Sequence, residues 1–196
     1  IWGAGELPLV VSGIRQLTPR VRAYEFRHRD GLELPEVSAG AHLKIPLPPL
    51  KKDELGNRGS SEKRERHYSI CSNPKRRDVY EIAVLKEAQG EGGSLAIHQH
   101  LQLGQEVHCA LAENNFTLHE DDRPAVLFAG GIGITPIKSM ALALLKQQQS
   151  FELHYAGSNE HEMAYSDRLG RQLGDKLQLY PSQTGIKLSL KQLMSQ

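Results

Sequence analysis

The sequence predicts an antiparallel β-barrel followed by an α/β unit. In the first half, short segments rich in β-forming residues alternate with turns and include one helical segment, which is typical of a small barrel. In the second half, the continuous apolar run at 125–129 precedes a glycine turn and an amphipathic helix. Strand and helix then alternate, which indicates βαβ units around a parallel sheet. We therefore expect two domains, covering residues 1–120 and 121–196.

Six segments of the first half have the composition and partial alternation of strands. They are 7–17, 21–29, 42–47, 67–71, 79–86 and 106–111. A short helix is expected at 95–101, directly after Gly92-Gly93-Ser94. The segment 48–65 is polar and rich in turn residues, and it predicts a long exposed loop.

The second half contains three predicted strands and two predicted helices. The strands are 125–129, 151–155 and 177–180, and the helices are 136–148 and 163–173. The first helix has an apolar face with the 3.6-residue period of a packed helix. That face consists of Ile137, Met140, Ala141, Leu144 and Leu145.

Charge and cysteine content exclude several classes of function. The net charge is +1, so no overall field attracts nucleic acid or a membrane surface. No apolar run reaches the roughly 18 residues of a membrane helix. Cys71 and Cys109 are the two cysteines and form no CxxC, so we expect neither a disulfide framework nor a metal site, and a cytoplasmic protein.

A glycine turn joins the buried strand at 125–129 to the following helix. Gly131 and Gly133 would let backbone amides approach a phosphate, and the helix N-terminus adds partial positive charge. Thr135 can cap the helix, and Pro136 suits its first turn. The context of strand, glycine turn and helix favours a nucleotide site, although a structural βα turn uses the same glycines.

Two further motifs lie in the barrel half. Gly92, Gly93 and Ser94 offer free amides and a hydroxyl to an anion, but taken alone they equally describe an ordinary helix start. Arg66 can pair with a phosphate, Tyr68 can stack on a flat ring, and Ser69 can hydrogen-bond to it. Taken alone, this segment equally describes an ordinary strand with alternating faces.

Taken together, the motifs resemble the ferredoxin–NADP reductase superfamily, and most closely its phthalate dioxygenase reductase and vanillate demethylase reductase type. The resemblance is carried, in order, by RHYSICSNP, YEIAVLK, GEGGS, NNFTL and FAGGIGITPIKSM. It extends from about residue 7 to residue 180. It implies a six-stranded antiparallel flavin-binding barrel, followed by a parallel-sheet domain that binds NADH or NADPH.

The resemblance also implies roles for individual residues. Tyr68 and Ser69 would lie against the reacting ring of the flavin, in the position of catalytic residues. Cofactor binding would involve Arg66, Tyr68, Ser69, Lys86, Gly92, Gly93, Ser94, Gly131, Gly133 and Thr135. FMN is the expected flavin, with FAD as the alternative. An iron–sulfur ferredoxin domain or an oxygenase component would accept the electrons.

The chain also departs from the pattern of that family. Only three parallel strands are predicted, the family's Cys-Gly-Pro motif is absent, and there is no cysteine cluster for an iron–sulfur centre. We therefore expect the second domain to be incomplete at its C-terminal end. Two alternatives stay open: an FAD-type ferredoxin or ferric-chelate reductase, and a flavin electron-transfer subunit without its own NAD(P)H activity.

The loop after the second parallel strand bears on the choice of nucleotide. Such a strand end lies near the adenosine ribose in this class of fold. Binding of the 2′-phosphate of NADPH there favours an arginine side chain, but this loop contains Asn159, Glu160 and Glu162. The sequence therefore predicts a preference for NADH over NADPH.

Overall fold

The computed structural model describes residues 1–48, 64–119 and 121–185. Its strands are β1 (Trp2–Gly3), β2 (Leu7–Gln16), β3 (Val21–His28), β4 (His42–Pro46), β5 (Glu65–Ser69), β6 (Tyr80–Leu85), β7 (Glu106–Cys109), β8 (Ala125–Gly130), β9 (Phe151–Gly157) and β10 (Leu177–Pro181). Its helices are α1 (Gly93–His100), α2 (Ile134–Lys146) and α3 (Ser166–Leu173). Most of the predicted loop at 48–65 lies outside the described residues.

The first half is built from the six predicted strands, with β1 as an addition. Strands β7, β2, β3 and β6 form one antiparallel sheet, and β4 and β5 form a second antiparallel pair. Two sets of backbone hydrogen bonds connect these sheets. The Cys71 amide donates to the Glu81 carbonyl at 2.7 Å, and the His42 amide donates to the Glu113 carbonyl at 2.8 Å. The strands thus surround one interior, as the predicted barrel requires.

Alternation along the strands determines what fills the barrel. In β2, Leu7, Leu9 and Val11 are buried while the residues between them are more exposed, because successive side chains of a strand point to opposite faces. Equivalent positions of the other strands complete the core, which includes Tyr24, Phe26, Leu43, Ile45, Ile82 and Val107. Helix α1 packs on the barrel core through the fully buried Ile97.

The second half is a parallel three-stranded sheet in the order β10, β9, β8. Residues such as Leu127, Leu153 and Tyr155 are buried and pack with helices α2 and α3. The predicted apolar face of α2 is confirmed, with Leu145 only partly buried. The helix begins and ends two residues earlier than predicted, since the turn before it tightens into a 3-10 turn at Gly131–Gly133. No helix within the described residues is long and apolar enough to cross a bilayer.

The α/β half packs directly against the barrel. Its hydrophobic core incorporates barrel residues from β3, β6 and the segments beside them, namely Val21, Ala23, Ala39, Cys71 and Ala83. This shared core brings the N-terminal end of α2 close to the end of β5. The glycine turn before α2 and the predicted motif of β5 therefore lie on opposite sides of one boundary.

Candidate functional site

A single cavity of about 610 Å³ lies at this boundary, a size common for small-molecule sites. Three of the stretches that line it each contain one of the predicted motifs. Arg66, His67, Tyr68 and Ser69 come from β5, Gly93 and Ser94 from the start of α1, and Ile132, Gly133, Thr135 and Pro136 from the glycine turn and α2. The structure thus brings together motifs that are up to 70 residues apart in the sequence.

Arg66 lies against the first residue of α1. A Cβ added to Gly93 would lie 2.7 Å from Arg66 Nε and 3.0 Å from its Cγ, so a side chain at this position would displace the arginine from its present place. The guanidinium donates to the Glu91 carboxylate at 2.6 Å and to the Glu65 carbonyl at 3.0 Å. Glu91 is almost fully exposed, so a phosphate could replace it as the partner of Arg66 at little cost. The guanidinium and the N-terminus of α1 together could hold an anion.

The start of α1 depends on glycine rather than on a side-chain cap. Gly92 is the N-cap residue with φ 80°, and no side chain caps the helix. The Ser94 hydroxyl accepts a hydrogen bond from the Glu87 amide at 3.1 Å, which fixes the loop that precedes the helix. The first amides of α1 have no intrahelical partners, and they lie beside Arg66.

Tyr68 and Ser69 form the wall of the cavity on the barrel side. Burial raises the pKa of Tyr68 to about 12, so at neutral pH its hydroxyl is protonated and can donate a hydrogen bond. His67 lies between Arg66 and Tyr68 and stacks on His42, with ring centroids 4.9 Å apart and planes 14° apart. This wall offers a phenol ring, a hydroxyl and a cation to a flat, anionic ligand.

The opposite wall is the glycine turn. Gly131 has φ 51°, a left-handed conformation that favours glycine, and its carbonyl accepts from the Tyr155 hydroxyl at 3.3 Å. The prediction that Thr135 caps α2 is wrong. Gly133 is the N-cap residue, and the Thr135 hydroxyl donates to the Ile132 carbonyl at 3.0 Å. This bond turns the Thr135 hydroxyl back onto the loop, and leaves the amides at the start of α2 without side-chain partners.

Not every predicted site residue lines the cavity. Lys86 is exposed and does not contribute to the lining, while Gly92 and Gly131 support it from neighbouring positions. Residues that the sequence analysis did not assign complete the lining, namely Ala83, Leu85, Glu87, Gly90 and Glu91. Ala83 and Leu85 belong to the YEIAVLK stretch. Because they alternate along β6, the sequence does indicate that their side chains share one face of the strand.

The two cysteine side chains do not line the cavity. Cys71 and Cys109 are free and buried, and burial raises the pKa of each thiol to about 12. Both thiols are therefore protonated at neutral pH, which makes them poor nucleophiles. Within residues 1–48, 64–119 and 121–185, no group of three or more His, Cys, Asp or Glu side chains is placed to hold a metal ion.

Comparison with known proteins agrees with this geometry. Residues 127–183 match the family model described as oxidoreductase NAD-binding domain. The chain is 38% identical over 176 residues to the beta subunit of the heme-dependent oxidative N-demethylase of Ectopseudomonas mendocina, covering 90% of this chain and 52% of that protein. It is 34% identical over 174 residues to the vanillate O-demethylase oxidoreductase of Acinetobacter baylyi, covering 89% and 51%.

Among solved structures, the chain superposes on phthalate dioxygenase reductase with a TM-score of 0.86 at 26% identity, covering 97% of this chain and 56% of that one. That protein is described as a modular structure for electron transfer from pyridine nucleotides to a [2Fe–2S] centre. An intact type IV self-sufficient cytochrome P450 monooxygenase also matches, with a TM-score of 0.85 at 31% identity, over 97% of this chain and 23% of that one.

The fold and the paired motifs define a reductase-type chain with a barrel and a nucleotide-binding α/β unit. The predicted resemblance to the ferredoxin–NADP reductase superfamily is confirmed, and a vanillate O-demethylase oxidoreductase and phthalate dioxygenase reductase are among the proteins that the chain is similar to. It spans about half the length of the curated relatives that it matches.

Proposed function

We propose that this chain carries the flavin- and nucleotide-binding parts of a reductase that takes hydride from NAD(P)H and passes single electrons onward. The observation that carries the proposal is the one cavity lined by the Arg66 motif, the start of α1 and the glycine turn. The acceptor would be an iron–sulfur ferredoxin domain or an oxygenase component. We also propose that the boundary between the flavin and nucleotide domains lies at residues 120 and 121, close to where the barrel core gives way to the sheet core.

The residues of the barrel wall fit a flavin nucleotide. Arg66 and the first amides of α1 would bind its phosphate, and Gly93 supplies the space in which the arginine lies. The Tyr68 ring offers an apolar surface for the flavin ring, and its protonated hydroxyl and that of Ser69 offer hydrogen bonds. A bound flavin would supply the redox chemistry, namely the conversion of a hydride into single electrons.

The residues of the opposite wall fit the nicotinamide nucleotide. The exposed Gly133 leaves its neighbouring amides accessible to a phosphate, and the N-terminus of α2 adds partial positive charge. Thr135 and Pro136 face the barrel side across the cavity. The chain's own contribution to the reaction is therefore to orient two ligands against each other and to limit the access of water between them.

FMN is the flavin that we propose, because the Gly92-Gly93-Ser94 motif occurs here in a chain that is similar to oxygenase reductases. The proposed donor is NADH. In the loop after β9, Asn159 accepts a hydrogen bond from the Glu162 amide at 3.1 Å, and Glu160 stays exposed. A carboxylate can accept hydrogen bonds from a ribose hydroxyl but repels a 2′-phosphate.

Flavin titration followed by an NADH–ferricyanide assay tests the proposal. We expect the protein to bind flavin, to release FMN on acid treatment, and to reduce ferricyanide with NADH. Flavin binding without activity towards either nucleotide would instead favour the electron-transfer subunit. Recovery of FAD would favour the ferredoxin or ferric-chelate reductase, and a protein that binds no flavin would contradict all three.

A further inference from the structure

A buried ion pair crosses the boundary between the barrel and the α/β half. Lys138 of α2 lies 3.0 Å from the Glu81 carboxylate of β6, measured from Nζ to Oε1, and it also donates to the Cys71 carbonyl at 2.5 Å. The side chains of Lys138 and Glu81 are only 2% and 5% exposed. Burial alone would raise the pKa of Glu81, but Lys138 and Arg15 together hold it below its ordinary value. Glu81 is therefore charged at neutral pH.

Tyr165 completes the cluster from the start of α3. Its ring lies under Lys138, with Nζ 4.5 Å from the ring centroid, and its hydroxyl is 3.2 Å from Cys71 Sγ. Tyr165 has φ 66°, a left-handed conformation that is unusual for a bulky residue. Such a conformation persists only where the surroundings hold it, and here it directs the phenol into the cluster.

Cys71, Glu81 and Lys138 do not line the cavity, but each of these three has a cavity-lining residue two positions away. Cys71 follows Ser69, Glu81 precedes Ala83, and Lys138 follows Pro136. The ion pair therefore joins the barrel wall to the nucleotide wall through two short, rigid connections. A shift of α2 along the barrel would have to break hydrogen bonds from a buried cation.

Stability alone does not explain why such a pair is present, because well-packed apolar residues of similar volume often replace a buried ion pair without loss of folding stability. Directional bonds, in contrast, define one relative placement of the two surfaces. Two further contacts act in the same direction. The Ser139 hydroxyl donates to the Ser72 carbonyl at 3.2 Å, and Arg20 pairs with Glu162 at 3.1 Å at the edge of the boundary.

We propose that Lys138 is a positioning residue which, through Glu81 and the Cys71 carbonyl, sets the distance between the flavin wall and the nicotinamide wall. This inference rests on the proposed function, because it assigns the ion pair to the alignment of those two ligands. It predicts that breaking the pair impairs hydride transfer without removing either ligand.

The experiment compares Lys138→Met with the double variant Lys138→Met/Glu81→Gln, which leaves no unpaired buried charge. Lys44→Met is the matched control, because Lys44 pairs with Glu113 at 2.5 Å within the barrel half and lies outside the cavity lining. The measurements are flavin affinity, the stopped-flow rate of flavin reduction by NADH, its dependence on NADH concentration, and the long-wavelength absorbance of nicotinamide stacked on flavin. Amide hydrogen exchange at residues 139–144, whose amides are hydrogen-bonded within α2, is measured on the protein without cofactor.

We expect the double variant to bind flavin normally, to lose the stacking absorbance, and to reduce flavin roughly ten- to a hundred-fold more slowly at saturating NADH, as a misplacement of about 1 Å would cause. Exchange at 139–144 should accelerate in the double variant but not in the control. A double variant with wild-type reduction rate and absorbance would overturn the inference, and so would unchanged exchange. If the wild-type protein binds no flavin, the proposed function fails, while the exchange data still decide whether the pair fixes α2.

Discussion

Gly93→Ala offers a sharp test of the proposed phosphate seat, because it adds one methyl group at the tightest point beside Arg66. The new Cβ would lie 2.7 Å from Nε and 3.0 Å from Cγ of that side chain. Such distances are well below van der Waals contact, so the arginine must move away from the start of α1. Gly93 begins a helix, and alanine is the better helix former, so the fold should tolerate the change.

The magnitude follows from what the displaced arginine loses. A hydrogen bond to a charged group contributes about 1.5–3 kcal/mol, which corresponds to roughly ten- to a hundred-fold in flavin affinity. Arg66→Ala removes the same bond together with the whole side chain, and gives the upper limit. If Gly93→Ala acts through Arg66, the double variant should lose little more than Arg66→Ala alone, because the two effects are coupled.

Fluorescence titration of the protein with FMN measures this loss, and thermal unfolding checks the fold. Gly90→Ala is the matched control. Gly90 also lines the cavity, but its added Cβ would lie 3.5 Å from Glu87, in ordinary contact. Equal FMN affinity for Gly93→Ala and the wild-type protein would refute the phosphate seat.

Three further predictions concern the nucleotide wall, the choice of nucleotide and the buried pair. Gly133→Ala should fold normally, because φ −60° suits alanine and no atom lies within 4 Å of the added Cβ. This variant should raise KM for NADH by about tenfold, which corresponds to the lower part of a steric cost of about 1–3 kcal/mol. Its FMN affinity should not change. An unaltered KM would show that the nucleotide does not bind at this turn. The wild-type protein should show a higher kcat/KM with NADH than with NADPH, and Glu160→Arg should reduce that difference. Equal kcat/KM values of the wild-type protein for the two nucleotides would contradict the role proposed for the loop after β9. Because the pKa of Glu81 lies below 4.5, its stabilising effect is present above pH 4.5 and disappears as the pH falls through the folded-state pKa. Urea unfolding of Glu81→Gln should therefore show a smaller loss of stability on acidification than the wild-type protein, and parallel curves would contradict the role of that carboxylate.

Local patterns in the sequence were sufficient to predict the main strands and helices. The alternation of β2 and the 3.6-residue period of α2 each reflect a face that must be buried, and both faces are buried in the structure. The short strand β1 was missed because two residues show no period. The limits of α2 were displaced by two residues, because a 3-10 turn of glycines and isoleucine has no separate sequence signal.

The candidate site could be predicted only as three fragments. Arg66, Gly93 and Gly133 each had an ordinary local interpretation, and only the resemblance to a family joined them. Their convergence depends on long-range packing of α2 against the barrel. The partner of Arg66 in the structure, Glu91, was not assigned because side-chain pairing across 25 residues leaves no pattern in the sequence.

The Lys138–Glu81 pair marks the clearest limit of sequence reasoning. Lys138 occupies the buried side of a helix, and Glu81 occupies a strand whose five other residues are apolar or aromatic. An argument from hydrophobic periodicity either places each of these charged side chains in solvent or treats it as an exception to the apolar pattern. Only the packed structure shows that the two exceptions are partners, and that each one is acceptable because of the other.

The two walls of the cavity belong to different halves of the chain, and this arrangement makes the polar contacts at the boundary important. Apolar contacts across the boundary, such as those of Ala83 in the shared core, stabilise the association but are non-directional, so they tolerate small sliding movements. Hydrogen bonds from Lys138 and Ser139 lose their geometry within a fraction of an ångström. The apolar boundary therefore determines that the halves associate, whereas the buried cation determines where α2 stops. If the proposed hydride transfer between two stacked rings takes place in this cavity, that second property should govern its rate.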